Sequence, residues 1–154
     1  MRAFVELEDV DFVYGATPVL ERINLTVEPG DFLGIIGPNG SGKTTLLRIV
    51  LGLLPPARGA VRLFGHAPAA FRQWGRLGYV PQKATLDPAL PVTVREVVAT
   101  GLLASLGLFA RIGKAERHRN GEVLGQVGME RHGAARIGAL SPGQQQRVLI
   151  ARAL

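Results

Sequence analysis

Residues 33–50 read LGIIGPNGSGKTTLLRIV. Within them, Gly37 to Thr44 fits the pattern G-x-x-x-x-G-K-[ST] at every position, the signature of a loop that cradles phosphates. The flanks agree with that reading. Leu33, Gly34, Ile35 and Ile36 form a short apolar run of the kind a buried parallel strand presents, so a strand is expected at Phe32 to Ile36. Leu46, Leu47, Ile49, Val50 and Leu53 then recur at helical spacing, and Gly52, Pro55 and Pro56 end the helix.

The chemistry follows from what a phosphate group needs. Its water must be replaced by many donors at close range. Gly37, Gly40 and Gly42 carry no Cβ, so backbone N–H groups can approach, and Pro38, Asn39 and Ser41 complete the loop. A helix beginning near Gly42 points its unpaired N–H groups and positive dipole end at the same place. Lys43 is expected to reach the β- and γ-phosphates as a point charge. The Thr44 hydroxyl is expected to ligate Mg²⁺, and Thr45 to add a hydroxyl on the α-phosphate side.

Composition bounds the alternatives. The chain has 154 residues, enough for one domain with a core, and 47% of them are hydrophobic, which excludes disorder by composition. It lacks cysteine, which excludes disulfides and thiolate metal sites. No apolar run is long enough to span a membrane, and MRAFVELEDV lacks the design of a signal peptide. The net charge is +6. The basic residues are scattered with little aromatic interleaving, so the reading is a solvated surface, and no nucleic-acid partner is expected. His66, His118 and His132 are isolated, make no ligand spacing and read as surface or structural residues.

Strands are expected over residues 4–14, 19–28 and 60–64, and another at Leu77 to Val80, ahead of Pro81-Gln82. From Val92 the pattern turns helical, with Val94, Val97, Val98 and Leu102 on one face, and a second helix is expected from Lys114 to Val127. Near the C-terminus stands Leu140-Ser-Pro-Gly-Gln-Gln-Gln-Arg147. Ser141 reads as a helix N-cap and Gln144 as the third helical residue. Together they make a capping box, with Pro142 in the first turn, where its missing N–H costs nothing.

Phosphate loop and capped helix, in this order, resemble the ATP-binding subunit of ABC transporters. The family signature is Leu-Ser-Gly-Gly-Gln followed by Gln-Gln-Arg, and this chain matches except at Pro142, where the family usually has Gly. Tyr14 lies where the family places an aromatic that stacks on adenine, and Gln82, in YVPQ, lies where it has its glutamine loop. The resemblance implies an α/β fold. It has a P-loop NTPase core of ABC type, an N-terminal antiparallel β subdomain and an inserted helical subdomain, and it is incomplete at the C-terminus. Residues 1–84 would form the β subdomain and phosphate-loop core, 85–139 the helical subdomain, and 140–154 the signature and its helix.

The resemblance also implies ATP and Mg²⁺ as ligands and a head-to-tail dimer of nucleotide-binding domains. Ser141 and Gly143, with Gln144, would then meet the γ-phosphate held by the partner's loop. Gln82 would sense Mg²⁺ and the attacking water. Implied partners are a transmembrane permease and an extracytoplasmic solute-binding protein, and the implied location is the cytoplasmic face of the membrane. Pro142 removes one backbone donor beside the presumed γ-phosphate contact.

The stretch from Leu77 to Leu102, and above all LPVTVREVV followed by Gly101, resembles the zinc/manganese/iron branch of bacterial importers. The alternative is a non-transport ATPase of this family working on nucleic acid or ribosomes, or an inert truncated product. The family continues with a Mg²⁺-binding Asp, a water-positioning Glu and a His. No Asp or Glu follows Glu130 here, so the isolated chain is expected to bind ATP weakly, hydrolyse it poorly and aggregate readily.

Overall fold

The computed structural model describes residues 3–82, 87, 89–106 and 113–154. Part of the stretch resembling the metal-importer branch, residues 83–86 and 88, lies outside them. Two compact units are present, Met1–Arg72 and Gln73–Leu154.

The first unit is built on a three-stranded sheet. β1 (Val5–Tyr14) lies at its centre between β2 (Thr17–Val27) and β3 (Arg58–Leu63), and both pairings are antiparallel. Leu7, Val10 and Phe12 of β1 are all buried, although the step from Leu7 to Val10 breaks the period of two. The ladder slips between them: Asp9 takes a left-handed φ of 46° and the extra residue returns Val10 to the core face. Asn24 fastens this bulge, accepting from the Asp9 N–H at 2.9 Å and donating to its carboxylate at 3.0 Å.

Helix α1 (Lys43–Val50) packs on the sheet through Ile49, Leu46 and Val50, which meet Leu7, Val10, Phe12, Leu20 and Val61. Its C-terminus closes by two returning bonds. The Gly52 N–H donates to Ile49 O at 3.0 Å and the Leu53 N–H to Arg48 O at 2.8 Å. Gly52 has a φ of 68°, so a glycine satisfies the last carbonyls without a Cβ clash.

The second unit is helical. Its core joins Val94, Val97 and Val98 of α2 (Val94–Leu106), Val123 and Leu124 of α3 (Lys114–Gln126), and Val148 and Ala151 of α4 (Pro142–Ala153) with Met129, Ile137 and Leu140. Of the face expected on α2, Val94, Val97 and Val98 are therefore buried and Leu102 is half-buried. Its N-terminus is capped twice over. Thr93 and Glu96 form a capping box, and the Val94 and Arg95 N–H groups donate to Ala135 O and Gly133 O, each at 3.0 Å. At Gly101, α2 comes so near α4 that a Cβ would stand 2.1 Å from the Arg152 carbonyl oxygen.

Two expected strands do not form. Phe32 to Ile36 joins no ladder, and Phe32 and Ile36 are 100% and 96% exposed. Leu77 to Val80 likewise pairs with nothing, and Tyr79 is exposed. A strand exists only with a neighbour to hydrogen-bond, and parallel pairing needs a crossover between two such segments. Among the described residues the sheet is wholly antiparallel, so these apolar runs have no ladder to join.

Candidate functional site

The phosphate loop occupies residues 37–44 of the first unit. Gly40 and Gly42 take φ values of 85° and 83°, a conformation that costs a side-chain-bearing residue dearly. Gly42 is the N-cap of α1, and it is also pressed against the sheet. A Cβ there would lie 2.9 Å from Leu20 Cδ2 and 3.0 Å from Val19 O. The glycine thus lets the loop turn into the helix while touching β2. No side chain caps α1, so its first N–H groups keep their donor capacity.

Lys43 folds back over the loop. Its ammonium donates to Gly37 O at 2.8 Å, Pro38 O at 2.6 Å and Ser41 Oγ at 3.3 Å. The positive charge is therefore held against the loop, where an anion bound by the backbone N–H groups would meet it. Thr44 is exposed beside it, whereas Thr45 is buried.

Tyr14 ends β1, and its register partner is Thr17, two residues from the Val19 that abuts Gly42. The hairpin thus brings Tyr14 to the end of the sheet that carries the loop. The residue is 48% exposed and its ring stands edge-on to Phe12 with centroids 4.9 Å apart. A half-exposed aromatic with a fixed tilt offers a flat face to a stacking ligand.

Gln82 and the signature belong to the second unit. Ser141 caps α4 as its sequence requires. Its N–H donates to Gln144 Oε1 at 2.9 Å, and its Oγ accepts from the Gln144 N–H at 3.3 Å. Ser141, Pro142 and Gly143 are exposed, so this helix end faces outward. The chain leading to it is clamped from inside, since Gln145 Nε2 donates to Ile137 O and Leu140 O at 3.2 and 3.3 Å. Gln146 Nε2 donates to Pro81 O at 3.1 Å, tying α4 to the residue preceding the exposed Gln82. Sequence reasoning missed the bonds of Gln145 and Gln146, because contacts between elements leave no periodic signal, whereas His132, read as surface or structural, is half-buried and meets Gln144 Nε2 at 3.3 Å.

For Mg²⁺, the exposed Thr44 hydroxyl is the oxygen donor the phosphate loop would offer beside the nucleotide. That fits an ion that keeps several waters and takes its remaining ligands from phosphate oxygens. Among the described residues no group of three or more His, Cys, Asp or Glu could hold a metal on its own.

The loop, its lysine and the helix it opens define a P-loop nucleotide-binding domain, and the helical unit with its capped signature narrows the class further. The ABC transporter family model matches residues 20–154, and the chain belongs to this family. Over its full length the chain is 43% identical to a zinc uptake system ATP-binding protein, ZurA, of Listeria innocua, covering 60% of that protein. It is 44% identical over 150 residues to the zinc transport system ATP-binding protein TroB of Treponema pallidum, with 97% of this chain and 56% of that one covered. It is 43% identical to the manganese transport system ATP-binding protein MntB of Bacillus subtilis, with 97% and 59% covered.

The fold agrees. A solved ATP-binding subunit of an ABC transporter superposes with a TM-score of 0.82 at 29% identity, covering 97% of this chain and 61% of that one. The chain thus has an ABC ATPase fold, and it spans about 60% of the length of the curated relatives it matches.

Proposed function

We propose that this chain is the phosphate-loop and signature part of an ATP-binding subunit that couples ATP binding and hydrolysis to import of zinc or manganese. The observation that carries the reading is the pairing, in one chain, of a phosphate loop opening an uncapped helix with an outward-facing signature whose helix is firmly capped. That the relatives serve zinc and manganese transport systems supports the choice of ion. The transported ion is cargo and touches nothing in this chain.

In this reading Gly37, Pro38, Asn39, Gly40, Ser41, Gly42, Lys43, Thr44 and Thr45 hold ATP through backbone donors, the ammonium and two hydroxyls. Tyr14 stacks on the base. Thr44, with Gln82 on the water side, holds Mg²⁺, which would neutralise charge on the terminal phosphates. Ser141, Gly143 and Gln144 serve the nucleotide held by a second copy, head to tail. A permease and an extracytoplasmic solute-binding protein complete the assembly, with this subunit at the cytoplasmic face. No helix among the described residues is long and apolar enough to cross a membrane.

A mixing experiment on the complete protein tests the composite site. Lys43→Ala and Ser141→Ala subunits should each be inactive in ATP turnover. Mixed, they should regain activity, because one of the two sites then combines an intact loop with an intact signature from opposite copies. A mixture as inactive as its components would refute the head-to-tail arrangement, and an active Lys43→Ala subunit would refute the role of the loop.

A further inference from the structure

The side chain of Gln144 is held at both ends. The Ser141 N–H can only donate, so the amide atom 2.9 Å from it must be the carbonyl oxygen, Oε1. The other end, Nε2, then faces His132 Nε2 at 3.3 Å. An amide NH₂ also only donates, which leaves one consistent state for the ring. His132 Nε2 carries the lone pair and the proton sits on Nδ1. Among the described residues Nδ1 is buried without a partner, so the acceptor contact with Gln144 is the one polar bond this ring makes.

His132 sits on a short 3-10 turn, Glu130–His132, next to Gly133, whose carbonyl receives the Arg95 N–H of α2. Its backbone is therefore anchored to the helical core by contacts independent of the signature. The ring reaches from this fixed turn to the third residue of α4.

We infer that His132 is a positioning residue for the signature. Its lone pair holds the Nε2 end of the Gln144 amide, and the Oε1 end of that amide holds the Ser141 N–H at the exposed helix end. Without an acceptor at that place the Nε2 end of the amide is unheld. The capping bond from the Ser141 N–H to Oε1 is then held at one end only, and the backbone that carries the Ser141 hydroxyl is less firmly fixed. The inference rests on the reading of Ser141 as a contact to nucleotide held by a second copy.

The test is ATP turnover by the complete protein. His132→Leu fills similar space and offers no acceptor, so kcat should fall about three- to tenfold, the worth of one neutral hydrogen bond. KM for ATP should hold within about twofold, because the chain's own phosphate loop binds the nucleotide. His132→Gln places an amide oxygen near the position of Nε2 and should recover most of the loss. Gln144→Ala should lower kcat at least as much as His132→Leu, and the double variant should fall no further than Gln144→Ala.

Equal losses in His132→Leu and His132→Gln, or an additive double variant, would overturn the inference. Wild-type turnover in His132→Leu alongside a defective Ser141→Ala would overturn it alone. Wild-type turnover in Ser141→Ala would instead overturn the reading on which it rests.

Discussion

Replacing Gly101 by alanine puts two effects of opposite sign in competition. Within a helix interior Ala is favoured over Gly by about 1 kcal/mol. At Gly101, however, the new Cβ would stand 2.1 Å from the Arg152 carbonyl oxygen, 3.1 Å from its carbonyl carbon and 3.4 Å from its Cγ. An ordinary contact needs more than about 3.4 Å, so α4 must retreat by over about 1 Å. The offending atom is backbone and has no rotamer to change. Retreat also loosens Val148 and Ala151, which pack on Val94, Val97 and Val98. Overpacking of this kind costs about 3 kcal/mol at the upper end, leaving about 2 kcal/mol net destabilisation.

Gly121 of α3 is the control. A Cβ there meets nothing within 4 Å, so Gly121→Ala should stabilise by about 1 kcal/mol. Trp74, the chain's one tryptophan, lies in the second unit and reports its unfolding in urea. The expected result is a lower midpoint for Gly101→Ala, a higher one for Gly121→Ala and an unchanged slope. The gap of about 3 kcal/mol corresponds to roughly 6–12 °C in melting temperature. A Gly101→Ala variant as stable as Gly121→Ala would refute the close approach of α2 and α4.

Acid should weaken the start of α2. The N–H and hydroxyl of Thr93 both donate to Glu96 Oε2 at 2.7 Å, and these bonds hold the carboxyl below its ordinary value of 4.5. A lowered folded value means this stabilisation is present above the unfolded value and is lost as pH falls through the folded one. The acid limb of an unfolding-versus-pH series should therefore flatten in Glu96→Gln, and an unaltered limb would count against the box. Pro142 lacks the N–H that a glycine would offer beside the signature serine. Pro142→Gly is expected to strengthen ATP-driven dimerisation by up to about tenfold, one added hydrogen bond, as read by analytical ultracentrifugation. Unchanged dimerisation and turnover would show that this donor takes no part.

The sequence was most legible where a local rule decides the structure. The phosphate loop is written in its own glycines, because a left-handed turn beneath a helix start excludes almost every other residue at Gly40 and Gly42. The Ser141 capping box was equally readable, since cap and third residue lie within one turn. On α2 the buried Val94, Val97 and Val98 followed from their apolar spacing.

Reading failed where a partner outside the local stretch decides. Leu33 to Ile36 has every property of a buried strand, yet strand formation depends on a neighbour, and in this structure Ile36 is bare. The one-residue slip at Asp9 could not be read from β1 alone, for it depends on the register with β2 and on Asn24.

By itself the sequence determined the nucleotide loop, the signature, their order and hence the family, because each is a short pattern fixed by backbone chemistry within a few residues. Only the tertiary structure decided that Gly101 is demanded by a carbonyl of α4, that Gln146 ties the signature helix to Pro81, and that His132 meets Gln144. These contacts join residues 12 to 65 positions apart. Their energies depend on the packing of whole elements, which no local spacing encodes.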